Sequence, residues 1–304
     1  MTNRDLLSID DLTREELQML LESAAEAKAD PAAWDHRLEG KQVALIFEKS
    51  STRTRVSFEV AVTSMGGHAI VLRGDELQLG RGETIEDTGR VLSRYVDAIV
   101  VRTFGQDRLE RMADAASVPV VNALSDFSHP CQCLADLQTL REKKGELGGL
   151  SLAYVGDGNN VAHSLMFGAG KMGMDLRVAC PPGFEPFPQV IERTLELADA
   201  SGGRLLLTTD PRQAAEGAQA LYTDVWVSMG QEGSRTTETF AGFQIGSELV
   251  DLADDEVVVM HCLPAHRGEE ISADVIDGPR SVVWDQAENR LHAQKALLAW
   301  LLGP

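Results

Sequence analysis

Short apolar runs alternate with helix-length segments along almost the whole sequence, and that alternation admits few folds. Strands joined by helical crossovers pair parallel, and a parallel sheet must be covered on both faces. The first series has VALIF at 43–47, AIVL at 69–72, DAIVVR at 97–102 and VPVVNAL at 118–124 as strands, with helical stretches at 56–65, 83–95 and 109–115. An amphipathic helix precedes it: Thr13 and Glu16 stand at capping-box spacing, and Leu17, Leu20, Leu21 and Ala24 follow at helical intervals. At 141–149 the polar, glycine-rich REKKGELGG interrupts the pattern. A second series then begins with SLAYVGDG and continues through LRVAC at 176–180, RLLLT at 204–208, ALYTDVW at 220–226, EVVVMHCLP at 256–264 and SVVWD at 281–285. The expected fold is α/β, with two open parallel-sheet domains carrying helices on both faces. The boundaries predicted are 1–141, 142–284 and a C-terminal segment, 285–304. In that segment Leu291, Leu298, Leu301 and Leu302 recur at helical spacing, and its helix is expected to pack back on the first domain.

Composition narrows the function classes. The formal net charge of −19 disfavours nucleic acid, because binding to a phosphodiester backbone depends on lysine and arginine releasing counterions. It does not exclude a small anion, since charges beyond about 8 Å are screened at physiological salt and a local cluster decides. No run approaches the roughly 18 apolar residues of a membrane span. The first residues lack the basic and apolar regions of a secretory signal, so a soluble cytoplasmic protein is expected. The four cysteines, Cys131, Cys133, Cys180 and Cys262, form no C-x-x-C pair and no zinc-type spacing, so neither a disulfide framework nor a metal site is expected.

In open α/β sheets ligands bind beyond the carboxyl ends of the strands, and the chemically distinctive residues fall there. After VALIF come Ser51, Thr52, Arg53, Thr54 and Arg55, hydroxyls and guanidinium forks at the start of a helix, which suit an anion such as phosphate. An ordinary Ser/Thr cap with exposed arginines is the alternative. Arg102 ends a strand that reads as buried, where a charge needs a partner; it could reach the same anion or leave the sheet edge as a surface residue. His129 and Gln132 flank Pro130 at another strand-to-helix turn, with a capping histidine as the alternative. In the second half, Gly156 and Gly158 suggest a dinucleotide fingerprint, but Val161 occupies its third glycine position. Asp224, followed by Ser228-Met229-Gly230, and His261-Cys262-Leu263-Pro264 mark two more strand ends; a helix cap for Asp224 and a small buried hydrophobe for Cys262 are the alternatives. Taken together, these placements predict an anion pole in one half and a polar-ligand pole in the other.

These residues resemble the aspartate/ornithine carbamoyltransferase superfamily. Ser51-Thr52-Arg53-Thr54-Arg55 and His129-Pro130-Cys131-Gln132 are similar to the carbamoyl phosphate motifs that all its members share. GDGNN, DVWVSMGQE, HCLPAHRG and DQAENR resemble the ornithine branch. The resemblance implies transfer of the carbamoyl group of carbamoyl phosphate to the δ-amine of L-ornithine, giving citrulline for arginine metabolism, without metal or cofactor. It implies that Ser51, Thr52, Arg53, Thr54 and Arg102 hold phosphate, that Thr52, Arg102 and His129 direct donors at the carbonyl, and that Gln132 binds the carbamoyl amide. It places Asn160, Asp224, Ser228 and Met229 on the α-amino and α-carboxylate ends of ornithine, Cys262 and Leu263 on its side-chain amine, and Arg290 near the transferring group. Arg102, His129, Cys262 and Arg290 form the implied catalytic set. Gln78 matches a loop that completes a neighbour's carbamoyl phosphate site in a homotrimer or a multiple of trimers. A putrescine carbamoyltransferase and a non-catalytic carbamoyltransferase-like binding protein are the competing readings.

Overall fold

The computed structural model describes residues 4–74, 82–227 and 237–303. It divides into two units, Met1–Gln138 with Glu288–Pro304, and Thr139–Ala287. The first opens with α1 (Arg14–Ala29), entered through a capping box: the Glu16 N–H donates to Thr13 Oγ1 at 3.2 Å, and the Thr13 N–H to Glu16 Oε2 at 2.9 Å. This satisfies two amides that a helix start leaves open.

Its sheet comprises β1 (Gln42–Phe47), β2 (His68–Arg73), β3 (Ala98–Arg102) and β4 (Val120–Leu124), all parallel in the order β2-β1-β3-β4. Successive strand residues face opposite sides, yet β1 is buried on both: Ala44 and Ile46 join one apolar cluster, while Val43 and Leu45 are equally enclosed on the other face. The crossovers are α2 (Thr52–Ser64), α3 (Ile85–Leu92) and α4 (Gln106–Ala115), and α5 (Pro130–Lys144) follows β4.

In the second unit β5 (Ser151–Val155), β6 (Asp175–Ala179), β7 (Arg204–Thr208), β8 (Ala220–Thr223) and β9 (Val258–His261) run parallel in the order β7-β6-β5-β8-β9. Crossovers include α6 (Asn160–Met172), α7 (Pro188–Ser201) and α8 (Pro211–Ala215), followed by α9 (Ser247–Val250) and α10 (Ala273–Ile276). One face of this sheet packs Ala153, Val155, Leu221 and Val259 on Trp226, Phe240 and Ile245. On the other face the Tyr154 and Tyr222 rings stack with centroids 5.8 Å apart. In both sheets the chain reverses its direction of growth beside the founding strand, between β1 and β3 and between β5 and β8, and such reversals open crevices at the carboxyl ends of the strands.

One expected strand is absent. Residues 281–285 contribute a single bridge, Ser281 to Val259, and α11 (Val283–Leu302) starts two residues later. The β-branched pair Val282-Val283 is buried as the entry to a helix, while Trp284 stays 62% exposed, which short apolar runs cannot signal by pattern alone. From Glu288 onward α11 belongs to the first unit. Other bounds shift by a few residues. α2 begins at Thr52 rather than 56, and β8 and β9 stop at Thr223 and His261, which leaves Asp224 and Cys262 on the loops beyond.

Leu45 is fully enclosed in β1 between Val71 and Val100 of the adjoining strands. Leu45→Ala should cost about 2–5 kcal/mol in urea unfolding, and a loss below about 0.5 kcal/mol would show that β1 is not the packed centre of this unit.

Candidate functional site

Ser51 sits in extended conformation at the end of the β1–α2 turn, and its Oγ accepts the Thr54 N–H at 3.2 Å. Thr52, Arg53 and Thr54 therefore form the first turn of α2, at the positive end of its dipole. Thr52 and Arg53 are exposed and Thr54 is buried. A cavity of about 1080 Å³ opens at this turn, lined by Ser51, Thr52 and Arg55 and, on the β2 side, by Arg73.

Arg102 is the last residue of β3, which lies inside the sheet, and only 7% of it is exposed. It is therefore not a surface arginine leaving an edge strand. The β3–β4 register shifts between Val101 and Arg102, an irregularity of the kind that re-aims a side chain beside a functional site. His129, also buried, starts α5 through its carbonyl, which accepts the Gln132 and Cys133 N–H groups at 3.1 and 3.2 Å. Burial, reinforced by the guanidinium groups of Arg290 and Arg102, pushes the His129 ring well below the ordinary imidazole value. A neutral ring donates from one nitrogen only. Arg290, on α11, donates from Nη1 to Gln132 Oε1 at 2.6 Å and from Nη2 to Thr54 Oγ1 at 3.0 Å. Five of the residues singled out in the first unit, Thr54, Arg102, His129, Gln132 and Arg290, thus meet in one cationic pole.

Glu48 is a site neighbour that sequence reasoning missed. Its carboxylate takes Arg108 Nη2 at 2.5 Å and the Thr103 hydroxyl, and its N–H donates to the Arg102 carbonyl at 2.9 Å, tying the β1–α2 turn to the β3–α4 turn. Its place next to the hydroxyl–arginine run was the available signal.

In the second unit the G-x-G glycines have a packing role. A Cβ on Gly158 would lie 2.3 Å from the Pro186 nitrogen, so the 156–160 turn passes the 184–186 backbone too closely for any side chain. Asn159 caps α6, its Oδ1 accepting the Val161 N–H at 2.9 Å, and half-buried Asn160 is the first helical residue. Asp224, buried just past β8, caps no helix. Its Oδ2 accepts from Asn159 Nδ2 at 2.8 Å and its Oδ1 from the Cys262 thiol at 2.9 Å. Cys262 is accordingly a half-buried hydrogen-bond donor rather than a core hydrophobe.

Leu263 adopts a left-handed φ of 58°, a conformation costing a side-chain-bearing residue of order 1–3 kcal/mol. Its N–H donates to His261 Nδ1 at 2.8 Å, which leaves the ring proton on Nε2, 2.9 Å from Glu270 Oε1. Burial raises the Glu270 carboxyl, but the His261 hydrogen bond and the His266 N–H outweigh it and hold the group below the usual carboxylate range. Asn159 and Glu270 escaped the sequence reading because each acts through a partner that only folding brings into register, Asp224 for the one and His261 for the other. Asp224, His261 and Cys262 present ligand-type atoms within 4.8 Å of one another, and all of them already have protein partners. Gln78, Ser228 and Met229 lie outside the described residues.

Each unit carries one polar pole at its switch point, cationic in the first and acidic in the second, the equipment of a two-substrate α/β enzyme. Residues 4–142 match the carbamoyl-P binding domain of aspartate/ornithine carbamoyltransferase, and residues 148–301 match the Asp/Orn binding domain. A Parafrankia protein named ornithine carbamoyltransferase is 58% identical over 99% of this chain and 97% of its own length. One of that name from Thermococcus kodakarensis is 54% identical over 100% and 98%. The solved ornithine carbamoyltransferase of Pyrococcus furiosus superposes with a TM-score of 0.95 at 55% identity, covering 98% of this chain and 96% of that one. The chain belongs to the aspartate/ornithine carbamoyltransferase family.

His129 should remain neutral at pH values near 6.5, where an ordinary imidazole is half-protonated, as read by histidine-selective NMR. Arg290→Gln removes a repelling cation and should raise its midpoint. A wild-type midpoint at or above 6.5 would contradict the buried, cation-flanked ring.

Proposed function

We propose that this enzyme transfers the carbamoyl group of carbamoyl phosphate to the δ-amine of L-ornithine, yielding L-citrulline and phosphate, within arginine biosynthesis in the cytoplasm. The observation that carries the reading is the convergence of Arg102 and Arg290 on a buried neutral His129, beside the hydroxyl-rich start of α2. Ser51, Thr52, Arg53 and Thr54 would hold the phosphate, joined by Arg102. The amine lone pair attacks the carbonyl carbon, and the resulting oxyanion would receive hydrogen bonds from Thr52, Arg102 and the single N–H of His129. Such donors are worth about 3–4 kcal/mol each in comparable acyl-transfer sites. Collapse breaks the carbon–oxygen bond to phosphate, which leaves with the electron pair into the arginine cluster, and the amine gives up one proton.

Ornithine's side-chain amine, with a pKa near the lysine value of about 10.4, must be neutral to attack, so its site has to favour the uncharged form. Asp224 would counter the α-ammonium, with Asn160, Ser228 and Met229 on the amino-acid end, while Cys262 and Leu263 would orient the reacting amine. The hydrogen bond from Cys262 to Asp224 fits a thiol that positions rather than attacks. Among the described residues no helix is long and apolar enough to cross a membrane.

Acceptor-dependent release of phosphate from carbamoyl phosphate should proceed with ornithine, with citrulline as the product, and fall to background with putrescine or aspartate. Asp224→Asn should raise the KM for ornithine at least about tenfold while that for carbamoyl phosphate stays within about twofold. Equal losses for both substrates would remove Asp224 from the acceptor site, and equal rates with putrescine would favour a diamine acceptor.

The assembly proposed is a homotrimer or a multiple of trimers in which Gln78 completes the neighbour's carbamoyl phosphate site. Pure Arg53→Ala and Gln78→Ala chains, each inactive, should regain activity when unfolded together and reassembled in equal amounts. In a cyclic trimer about a quarter of shared sites then draw both residues intact. Trimers that form, as shown by sedimentation, yet stay inactive would refute the shared site.

A further inference from the structure

Asp136 lies on α5 four residues after Gln132, on the same helix face, and is fully buried. Its Oδ1 accepts from Gln132 Nε2 at 2.8 Å, while Gln132 Oε1 accepts from Arg290 Nη1 at 2.6 Å. The two ends of a glutamine amide are almost the same size and opposite in hydrogen-bonding sense. A guanidinium offers donors only, so it must meet the oxygen; the Asp136 carboxyl oxygen acts as the acceptor, so it meets the nitrogen. Two partners from two helices therefore select the same orientation of one buried amide.

We propose that Asp136 is a positioning residue that holds Gln132 with its carbonyl oxygen directed to the acyl group of the substrate, making the site selective for a donor that carries an NH₂ there. This rests on the carbamoyl phosphate reading above. Gln132 Oε1 keeps a second lone pair beyond the one given to Arg290, and a carbamoyl N–H can use it. An acetyl group is almost isosteric but presents a methyl, which cannot donate. Were Gln132 turned over, its NH₂ would face both the guanidinium and the carbamoyl NH₂, donor against donor. Asp136 touches no substrate in this account. It sets which end of Gln132 is offered, and a site that places an acceptor discriminates by leaving that acceptor unpaired with the wrong ligand.

The test is calorimetric binding of carbamoyl phosphate, acetyl phosphate and inorganic phosphate to the whole enzyme and its variants. The native enzyme should bind carbamoyl phosphate more tightly than acetyl phosphate. In Asp136→Ala the dissociation constant for carbamoyl phosphate should rise about tenfold. Those for acetyl phosphate and inorganic phosphate should stay within about twofold, so that the preference collapses. Asp136→Asn keeps an acceptor oxygen and should restore most of it. In a Gln132→Ala background, Asp136→Ala should cost carbamoyl phosphate nothing further, because its effect passes through Gln132. If the alanine variant fails to fold, Asp136→Leu, which also removes the acceptor but fills the space, is read the same way. Equal weakening of all three ligands, or additive losses in the double variant, would overturn the positioning role and leave Asp136 as packing. A native enzyme that does not prefer carbamoyl phosphate would instead overturn the reading of the site.

Discussion

The buried guanidinium of Arg290 is the constraint on which the first unit's site depends. A charge taken out of water is tolerable only when its donors are used and its field is answered. Arg290 spends two nitrogens on Thr54 and Gln132, so the first turn of α2 and the first turn of α5 are both fixed by a side chain from α11. Burial first, and then the same charge with that of Arg102, pushes the His129 ring well below the ordinary imidazole value. The cationic pole, the lowered imidazole and the orientation of the Gln132 amide thus all involve this one buried group. A multiply charged anion is a ligand whose charge complements such a pole.

The second unit solves an analogous problem with opposite sign. Asp224 is buried at the β5/β8 switch point and receives hydrogen bonds from Asn159 on one oxygen and Cys262 on the other. Both donors are supplied by neighbouring turns, the first by the turn that Gly158 allows to pass under the 184–186 backbone and the second by the loop beyond β9. That loop is held in turn by the chain from Leu263 through His261 to Glu270, which stabilises a left-handed leucine next to the thiol. A carboxylate held through both oxygens in this way is fixed in position at the end of β8.

Much of this was legible in the sequence, and the exceptions share a cause. Alternation of apolar runs reads correctly for β1 to β9: the inner strands β1, β3 and β5 are buried along nearly their whole length and appear as continuous hydrophobic stretches, and the edge strands β2 and β7, though only partly buried, keep the same apolar run. It fails at 281–285, where Val282 and Val283 are buried for a helix entry instead. Residues such as Arg102 at the end of β3, Asp224 just past β8 and His129 at the turn into α5 stand out because polarity beside an apolar run is costly unless it serves something. Glu48, Asp136, Asn159 and Glu270 do not stand out, since each gains its meaning from a partner brought near only by folding: Arg108, Arg290 through Gln132, Asp224 and His261. Asp136 is the clearest case, because it was not singled out in the sequence and is fully enclosed on α5.

The net charge of −19 and the cationic pole are compatible because they act over different distances. Surface carboxylates are screened within about 8 Å at physiological ionic strength, while charges inside the protein are screened far less. Arg102 and Arg290 are buried, so their field is concentrated where a ligand would sit. An acidic surface slows the approach of a dianion but does little to its affinity once it is seated among guanidinium groups. Added salt therefore weakens the repulsion that opposes encounter and screens exposed charges such as Arg53, while leaving the buried arginines largely untouched. The separation of a sacrificial acidic exterior from an enclosed cationic pole is what lets one chain be strongly anionic overall and still select an anion.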